Sequence, residues 1–260
     1  MDHLAEPTDP ALVWICRTDR SEASVLSALE RGLDQRETAR AAKIRARERR
    51  EGYVVTHALA RHAVAVAEGW RPHQVSWEYR CGYCGSTDHG RPIIHGSSWN
   101  ISLSRTRGFA AVALGPTAVG LDVECVDLGI DWVESREVAL TAAELTSICS
   151  TDSSLVAHRG CSLWVRKEAV LKLLGVGLAR SPDTFEVIDP GPPAELPKNR
   201  QGSPGDHFRA TDAAGSVLAR IRDLHFDFGI DICAAIATIG PCPPVSVRMA
   251  TCAELVGSLG

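Results

Sequence analysis

The chain has 260 residues, a formal net charge of −4 and an apolar fraction of 45%. A chain of this length and composition is predicted to fold into one large globular domain or two smaller ones. The acidic balance argues against a broadly basic binding surface, so we expect no nucleic-acid partner.

The sequence also lacks the patterns of membrane insertion and secretion. No run approaches the roughly eighteen apolar residues of a membrane span, and segment 1–9 is acidic where a signal peptide would be basic. The nine cysteines are scattered, and Cys125 and Cys233 lie in strand-like apolar runs. These features predict a cytoplasmic protein with no membrane contact, whose thiols are reduced and form no disulfides.

Strand and helix patterns alternate along the chain. In the first half they predict a strand at 13–16, helices at 21–31 and 37–68, and strands at 75–79, 101–104, 109–114 and 119–125. In the second half they predict helices at 132–138, 142–149 and 162–174, then strands at 185–188, 218–223 and 230–237. The Pro/Gly-rich stretch 190–206 is predicted to be disordered. Similar apolar strands at Phe109–Leu114 and Ile232–Ala237 hint at an internal duplication.

The strand at 119–125 carries two carboxylates on one face. Alternation places Asp122 and Glu124 on one side of the strand and apolar residues on the other. Two like charges on one face repel each other, and an oxygen-preferring cation such as Mg²⁺ would relieve that repulsion. Taken alone, the pattern is also that of an ordinary solvated strand face.

The helix at 162–174 presents an acid and a base on one face. Trp164, Glu168 and Lys172 fall at i, i+4 and i+8, and glycines at 175 and 177 end the helix. Glu168 and Lys172 also have the spacing of an ordinary exposed ion pair. The strand and the helix together are more specific than either motif alone.

Together these motifs resemble the 4′-phosphopantetheinyl transferase superfamily, and in particular its Sfp type. The family's Gly-(Ile/Val)-Asp-x-Glu strand is similar to Gly120–Glu124, with Leu121 as a mild departure. Its Trp-x-x-Lys-Glu-Ala/Ser-x-x-Lys helix is similar to Trp164–Lys172. His89–Pro92 resembles the family's Gly-Lys-Pro turn, and Trp99–Ser104 resembles its Phe-Asn-Ile-Ser-His-Ser strand.

The resemblance implies a fold and an activity. The fold class is α+β, with two similar α/β halves in a pseudo-twofold arrangement and the active site in the cleft between them. We place the halves at residues 1–116 and 117–260. The implied activity is Mg²⁺-dependent transfer of the 4′-phosphopantetheine arm of coenzyme A to a serine of an acyl, peptidyl or aryl carrier protein, which releases adenosine 3′,5′-bisphosphate. The two-half architecture suggests a monomer.

The resemblance also implies roles for the acids and the lysine. Asp122, Glu124 and Glu168 would hold Mg²⁺ against the diphosphate, with Glu144 as a candidate fourth contact. Glu168 would take the serine proton, directly or through a water, and Lys172 would face the transferred phosphate. Phosphoryl transfer depends mainly on positioning and charge neutralisation, which these residue types provide.

Cationic side chains are predicted to bind the coenzyme. The basic segment between Arg36 and Arg61 is most simply a solvated helix face, but beside a coenzyme A site its arginines would bind phosphates through bidentate forks. The predicted coenzyme contacts are Arg36, Arg40, Arg61, Arg91, Ser102, Leu103 and Lys172.

Leu103 is the main departure from the family pattern. It stands where the family usually has a histidine that contacts a phosphate of the cofactor. Leucine cannot donate a hydrogen bond, so we expect a working but slow transferase. The alternative is a non-catalytic module, derived from this fold, that binds coenzyme A or a carrier protein.

The loop at 81–90 offers three candidate zinc ligands, Cys81, Cys84 and His89. A structural zinc site usually has four ligands, and His95 or Cys16 would have to complete it. A reduced loop without metal is the alternative interpretation. Similar loops precede the Gly-Lys-Pro turn in some actinobacterial members of the family.

Overall fold

The structure, a computed structural model, describes residues 10–19, 22–127, 130, 132, 140–189 and 207–259. Its strands are β1 (Ala11–Arg17), β2 (Trp77–Arg80), β3 (Arg91–Ile94), β4 (Asn100–Thr106), β5 (Phe109–Gly115), β6 (Val119–Cys125), β7 (Phe185–Ile188), β8 (His207–Asp212), β9 (Val217–Asp223), β10 (Ile232–Thr238) and β11 (Val245–Ala250). Its helices are α1 (Ala23–Arg31), α2 (Gln35–Ala42), α3 (Arg47–Glu68), α4 (Ala142–Cys149), α5 (Val156–Leu174) and α6 (Cys252–Gly257).

Two sheets repeat one topology. The first five strands are ordered β1-β5-β4-β3-β2 and the next five β6-β10-β9-β8-β7, so each strand of the second set takes the place of the strand five positions earlier. A long helix lies between the first and second strand of each set, α3 in one and α5 in the other. This repeat confirms the α+β class with two similar halves. The strands whose sequences hinted at duplication, β5 and β10, are equivalent in it.

The end of the chain returns to the first sheet. β11 pairs in parallel with β1, from Ala11 opposite Val245 to Cys16 opposite Ala250, and α6 packs on α1 and α3. The division at 116/117 falls between β5 and β6, the last strand of one set and the first of the next. It nevertheless assigns Val245–Gly257 to the second half, although β11 extends the first sheet beyond β1.

Side-chain hydroxyls join the two sheets. β6 is an edge strand of its sheet, so backbone N–H groups on its outer side need partners. Alternate residues of β4 supply hydroxyl acceptors: Ser102 accepts from Leu121 N (2.9 Å), Ser104 from Val123 N (3.2 Å) and Thr106 from Cys125 N (3.2 Å). This arrangement fixes β6 beside β4.

Helix α5 lies directly against β6. A Cβ atom at Gly120 would stand 1.9 Å from the Ala169 carbonyl oxygen and 2.5 Å from the Leu173 nitrogen, so this approach requires glycine. The helix ends at Gly175, whose φ of 69° is the left-handed conformation that glycine favours at a helix C-terminus. The close contact sets the height and rotation of the helix that carries Glu168 and Lys172.

Three apolar cores support this frame. One lies between the first sheet and α1 to α3, one between the second sheet and α5, and one between the two sheets. The third core includes Ile15, Phe109, Leu121 and Ile236, all essentially inaccessible to solvent. No helix in the described ranges has both the length and the apolar character needed to cross a membrane.

Several predicted elements differ from the observed ones. The predicted helix at 37–68 is two helices, because the chain leaves helical geometry after Lys43 and is extended at Ala46. The residues of that break include neither glycine nor proline. The sequence pattern therefore did not predict an interruption of the helix. The sequence interpretation missed β3, β8, β11 and α6, which are short or adjoin Pro/Gly-rich segments. Most of the predicted helix at 132–138 and all of 190–206 lie outside the described residues.

Candidate active site

Strand β6 brings two acids to the junction of the sheets. Asp122 is 3% exposed, and its Oδ1 accepts a 2.7 Å hydrogen bond from the Ser104 hydroxyl. The Glu124 Oε2 accepts a 2.7 Å hydrogen bond from the Thr106 hydroxyl. The hydroxyls that join the sheets therefore also orient the acids.

Helix α5 adds the third acid and a cation. Lys172 Nζ donates to Asp122 Oδ1 over 2.6 Å, and the lysine side chain keeps 27% of its exposure. Glu168 lies one turn earlier on α5, and its pKa responds to both charges, since Asp122 raises it and Lys172 lowers it. The predicted stripe along α5 thus meets the predicted face of β6.

The acid cluster is incompletely satisfied. Among the described residues, buried Asp122 Oδ2 and Glu168 Oε1 have no hydrogen-bond partner. Burial, followed by repulsion from Asp122, raises the pKa of Glu124 to about 7, while Thr106 and Lys172 oppose the rise. Burial and then Asp122 also raise the pKa of Glu168. One lysine does not offset three carboxyl groups, of which Asp122 is buried and Glu124 and Glu168 are partly buried.

This donor set fits a hard divalent cation. Buried carboxylate oxygens without partners normally cost free energy, and Mg²⁺ is bound through one or two carboxylates, keeping waters or phosphate oxygens as its other ligands. The oxygens of Asp122, Glu124 and Glu168 do not all lie within 4.8 Å of one another: of the described residues, only the loop Cys81, Cys84 and His89 forms so close a group of three. The acids therefore suit a partly hydrated ion rather than an all-protein cage.

Glu144 was predicted as a further metal contact, and the structure places it elsewhere. Its Oε2 lies 2.8 Å from Lys167 Nζ and accepts a hydrogen bond from Thr141 N, while its Oε1 accepts from Val187 N over 2.9 Å. Both oxygens are satisfied, so Glu144 has a structural role at the start of α4. Sequence spacing could not reveal this, because Lys167 and Val187 are distant in the chain.

A cleft of about 430 Å³ lies between the two halves. Its wall from the first half includes Arg40, Tyr53, Arg91 and Arg105, and its wall from the second half includes Lys172 and the segment Gly175–Ala179 after α5. Lys172 thus borders both the cleft and the acid cluster. A cleft of this size with convergent cations suits a phosphorylated small molecule.

Arg105 is a further cation of the cleft lining. Its guanidinium lies 5.6 Å from the centre of the Tyr53 ring and pairs with no carboxylate of the described residues. Desolvation at the cleft wall, followed by repulsion from Arg40 and Arg49, lowers the pKa of Arg105, although the residue keeps exposed surface and arginine remains charged at neutral pH.

The predicted arginines divide into those that line the cleft and those that do not. Arg40 and Arg91 line the cleft, and Arg91 donates to Asn100 Oδ1. Arg36 lies outside the cleft lining and donates to the Thr87 carbonyl over 2.6 Å. Arg61 is 3% exposed, and its ion pairs with Asp34 and Glu37 and hydrogen bonds to backbone carbonyls hold it on the buried face of α3. The prediction that Arg61 binds coenzyme is therefore corrected.

Ser102 and Leu103 both border the cleft but do different things. The Ser102 hydroxyl is engaged with Leu121 N in the junction between sheets, whereas Leu103 is partly buried against the first apolar core. The sequence interpretation missed the orienting roles of Ser104 and Thr106. The alternation of hydroxyl side chains at positions 102, 104 and 106 could have indicated these roles.

Comparison with known proteins agrees with the geometry. Residues 118–219 match the family model of the 4′-phosphopantetheinyl transferase superfamily. This range includes β6, α4 and α5 and therefore all three acids of the cluster. The chain is also similar to the L-aminoadipate-semialdehyde dehydrogenase-phosphopantetheinyl transferase of Schizosaccharomyces pombe, at 31% identity over 140 residues. That match covers 48% of this chain and 52% of the yeast protein, so it spans about half of each. Over residues 118–219, the chain is therefore similar to the 4′-phosphopantetheinyl transferase superfamily.

Proposed function

We propose that the protein transfers the 4′-phosphopantetheine arm of coenzyme A to a serine hydroxyl of an apo carrier protein and releases adenosine 3′,5′-bisphosphate. The bond that forms joins the serine oxygen to the phosphorus carrying pantetheine. The bond that breaks joins that phosphorus to the oxygen bridging the diphosphate. The serine proton must move to a base, and the leaving phosphate must be stabilised as negative charge develops on it.

The acids would hold the divalent cation. Asp122, Glu124 and Glu168 supply carboxylate oxygens, two of them buried and without partners. Bound there, Mg²⁺ would neutralise charge on the diphosphate of coenzyme A. Ser104 and Thr106 keep the β6 acids oriented through 2.7 Å hydrogen bonds.

Glu168 would accept the serine proton at a carboxylate oxygen. Its pKa is raised by burial and by Asp122, and a base with a pKa nearer neutrality accepts a proton more effectively. Lys172, 2.6 Å from Asp122 Oδ1 and at the rim of the cleft, would stabilise a phosphate oxygen. The two residues lie one helical turn apart on α5, so both would face the same substrate.

The cleft would bind the nucleotide and diphosphate. Arg40, Arg91 and Arg105 line it, and arginine matches phosphate oxygens with a planar fork of donors. Among the described residues, none of the three forms an ion pair with a carboxylate that a phosphate would have to displace.

One observation supports this proposal most strongly. Buried oxygens of Asp122 and Glu168 without hydrogen-bond partners lie near Lys172, which borders a cleft lined with arginines. The test is to incubate the protein with coenzyme A, Mg²⁺ and a panel of apo acyl, peptidyl and aryl carrier proteins, and to weigh the carriers by mass spectrometry. Gain of one phosphopantetheine group by at least one carrier is expected. No gain by any carrier, with coenzyme A nevertheless bound, would overturn the transferase.

One observation favours a second candidate, a non-catalytic module that binds coenzyme A or a carrier protein. Leu103 lines the cleft and offers no donor to a phosphate. A module without chemistry would have little reason to hold three carboxyl groups together against their mutual repulsion, so the transferase is the better-supported function.

A further inference from the structure

The loop between β2 and β3 gathers soft ligands that the transfer reaction does not use. The Cys81 Sγ, the Cys84 Sγ and a ring nitrogen of His89 all lie within 4.8 Å of one another. The Cys84 Sγ is 3.4 Å from His89 Nε2. Two ligands of one tetrahedral zinc, with Zn–S near 2.3 Å and Zn–N near 2.1 Å, stand roughly 3.6 Å apart. The cluster therefore needs only a small adjustment to bind a metal.

Backbone hydrogen bonds close the loop that carries the two cysteines. Gly85 N donates to the Cys81 carbonyl over 3.0 Å, and Cys81 N donates to the Ser86 carbonyl over 2.9 Å. These two bonds hold Cys81 and Cys84 on one tight turn of the backbone.

Gly90 completes the loop at a position that excludes other residues. Its φ is 106°, and a Cβ there would stand 2.3 Å from the Arg80 carbonyl oxygen. This tight return lets His89 approach the two cysteines.

No fourth protein ligand is at hand in the described part of the chain. The two residues that sequence offered to complete the site are engaged elsewhere: Cys16 is buried with its Sγ 3.6 Å from that of Cys252, and His95 contacts Ser76. Three protein ligands with one free position make an open zinc site. Cys81 and His89 also line the cleft, so the site borders it.

We propose that Cys81, Cys84 and His89 bind one Zn²⁺ ion, with the fourth position left to water or a small exogenous ligand. The ion holds the wall of the cleft in place. Gly82 N in this loop donates to the Gly175 carbonyl at the end of α5 over 2.9 Å, and Arg36 and Arg40 donate to the carbonyls of Thr87 and Asp88. The site is separate from the acid cluster and does not depend on transferase activity.

The test measures metal binding directly on the whole chain. The reduced protein, stripped of metal, is titrated with Co²⁺ as a spectroscopic substitute and then with Zn²⁺ in competition with a chromophoric chelator. The wild-type chain is expected to bind roughly one Co²⁺ ion that gives the charge-transfer absorption of cysteine thiolates and the strong visible bands of a four-coordinate site. Co²⁺ held by carboxylates alone gives no thiolate band, so this absorption counts only the ion in the loop. Zn²⁺ is expected to displace the Co²⁺.

Variants identify the ligands. Cys84→Ser and His89→Ala alter exposed residues and should fold, and each is expected to lose at least about tenfold in Zn²⁺ affinity. Cys149→Ser changes an exposed cysteine at the end of α4 and should bind as the wild type does. Equal Zn²⁺ affinity in Cys84→Ser and wild type, or no thiolate band with Co²⁺, would overturn the site.

Hydrogen exchange gives a second measurement. If the ion holds the loop, then removing Zn²⁺ with a chelator should speed amide exchange at residues 81–90 in the wild-type chain and leave it unchanged in Cys84→Ser. Exchange that responds equally in both would overturn the stabilising role.

Discussion

Helix α5 carries two lysine–carboxylate pairs that differ in how completely they are satisfied. Lys167 is fully buried and directs its ammonium group to Glu144 and to the carbonyls of Pro182 and Phe185, each at 2.8 Å. Lys172, five residues later, pairs with Asp122 but leaves Asp122 Oδ2 and the neighbouring Glu168 Oε1 without partners. A buried ion pair whose polar atoms are all engaged holds structure together, whereas one that leaves charged oxygens unengaged marks a place for a ligand.

This difference explains why Glu144, predicted as a metal contact, does not belong to the acid cluster. Glu144 has the same residue type as Glu168 and lies near it in sequence. Its oxygens nevertheless meet Lys167, Thr141 and Val187. Residue type and spacing do not distinguish the two glutamates; their hydrogen-bond partners do.

Removing the cation of the satisfied pair should have the largest effect on stability. Lys167→Met leaves Glu144 buried without its counter-charge, and breaking a buried pair in this way costs about 3–5 kcal/mol of unfolding free energy. Urea denaturation measures the loss. The double variant Lys167→Met/Glu144→Leu should recover part of it, because no buried charge is then left alone, although the N–H groups of Thr141 and Val187 lose their acceptor. A loss below about 1 kcal/mol in the single variant would remove the distinction between the pairs.

Neutralising Glu168, the acid beside the unsatisfied pair, should instead affect activity. Glu168→Gln keeps the shape of the side chain and should lower turnover roughly 10²- to 10⁴-fold, as expected for loss of a general base. Its unfolding free energy should stay the same or rise, since repulsion from Asp122 is removed. Steady-state transfer assays and urea denaturation measure the two quantities. Glu48→Gln, at an exposed glutamate of α3, is the control and should change neither.

The unsatisfied cluster also predicts a pH dependence of stability. The pKa of Glu124 is raised to about 7 in the folded state, against about 4.3 in an unfolded chain. The folded state therefore binds more protons between these values. Stability without metal should fall as pH rises from about 4.5 to 7 and level off above that. Glu124→Gln should flatten this part of the curve; an unchanged slope would contradict the assignment of the titration to Glu124.

A smaller effect is expected at Leu103, on the rim of the same site. Leu103→His adds a donor, and a hydrogen bond to a charged group is worth about 1.5–3 kcal/mol, or roughly tenfold or more in rate if formed in the transition state. We expect higher turnover with little change in melting temperature. Arg105→Ala is the companion variant. Unchanged turnover in Leu103→His combined with loss of activity in Arg105→Ala would show that Arg105 already supplies the phosphate contact.

The sequence was most informative where local pattern and chemistry coincide. β6 spans the predicted residues 119–125, and α5 ends where its glycines predicted. It was least informative where a long-range partner decides the outcome. Arg61 is cationic and near the predicted phosphate-binding segment, but Glu37 and Asp34 retain it in the core. β11 was missed because it forms by pairing with the edge of β1. The sequence near residue 245 does not show that partner.

The unpartnered carboxylate oxygens on β6 and α5 are expected to bind a divalent cation. Electron paramagnetic resonance with Mn²⁺, which shares the oxygen preference of Mg²⁺, tests this without any substrate. The wild-type chain should take up Mn²⁺ at a saturable site, Mg²⁺ should displace it, and Asp122→Asn should weaken binding at least about tenfold while Glu48→Gln leaves it unchanged. Equal Mn²⁺ affinity in Asp122→Asn and wild type would contradict the account.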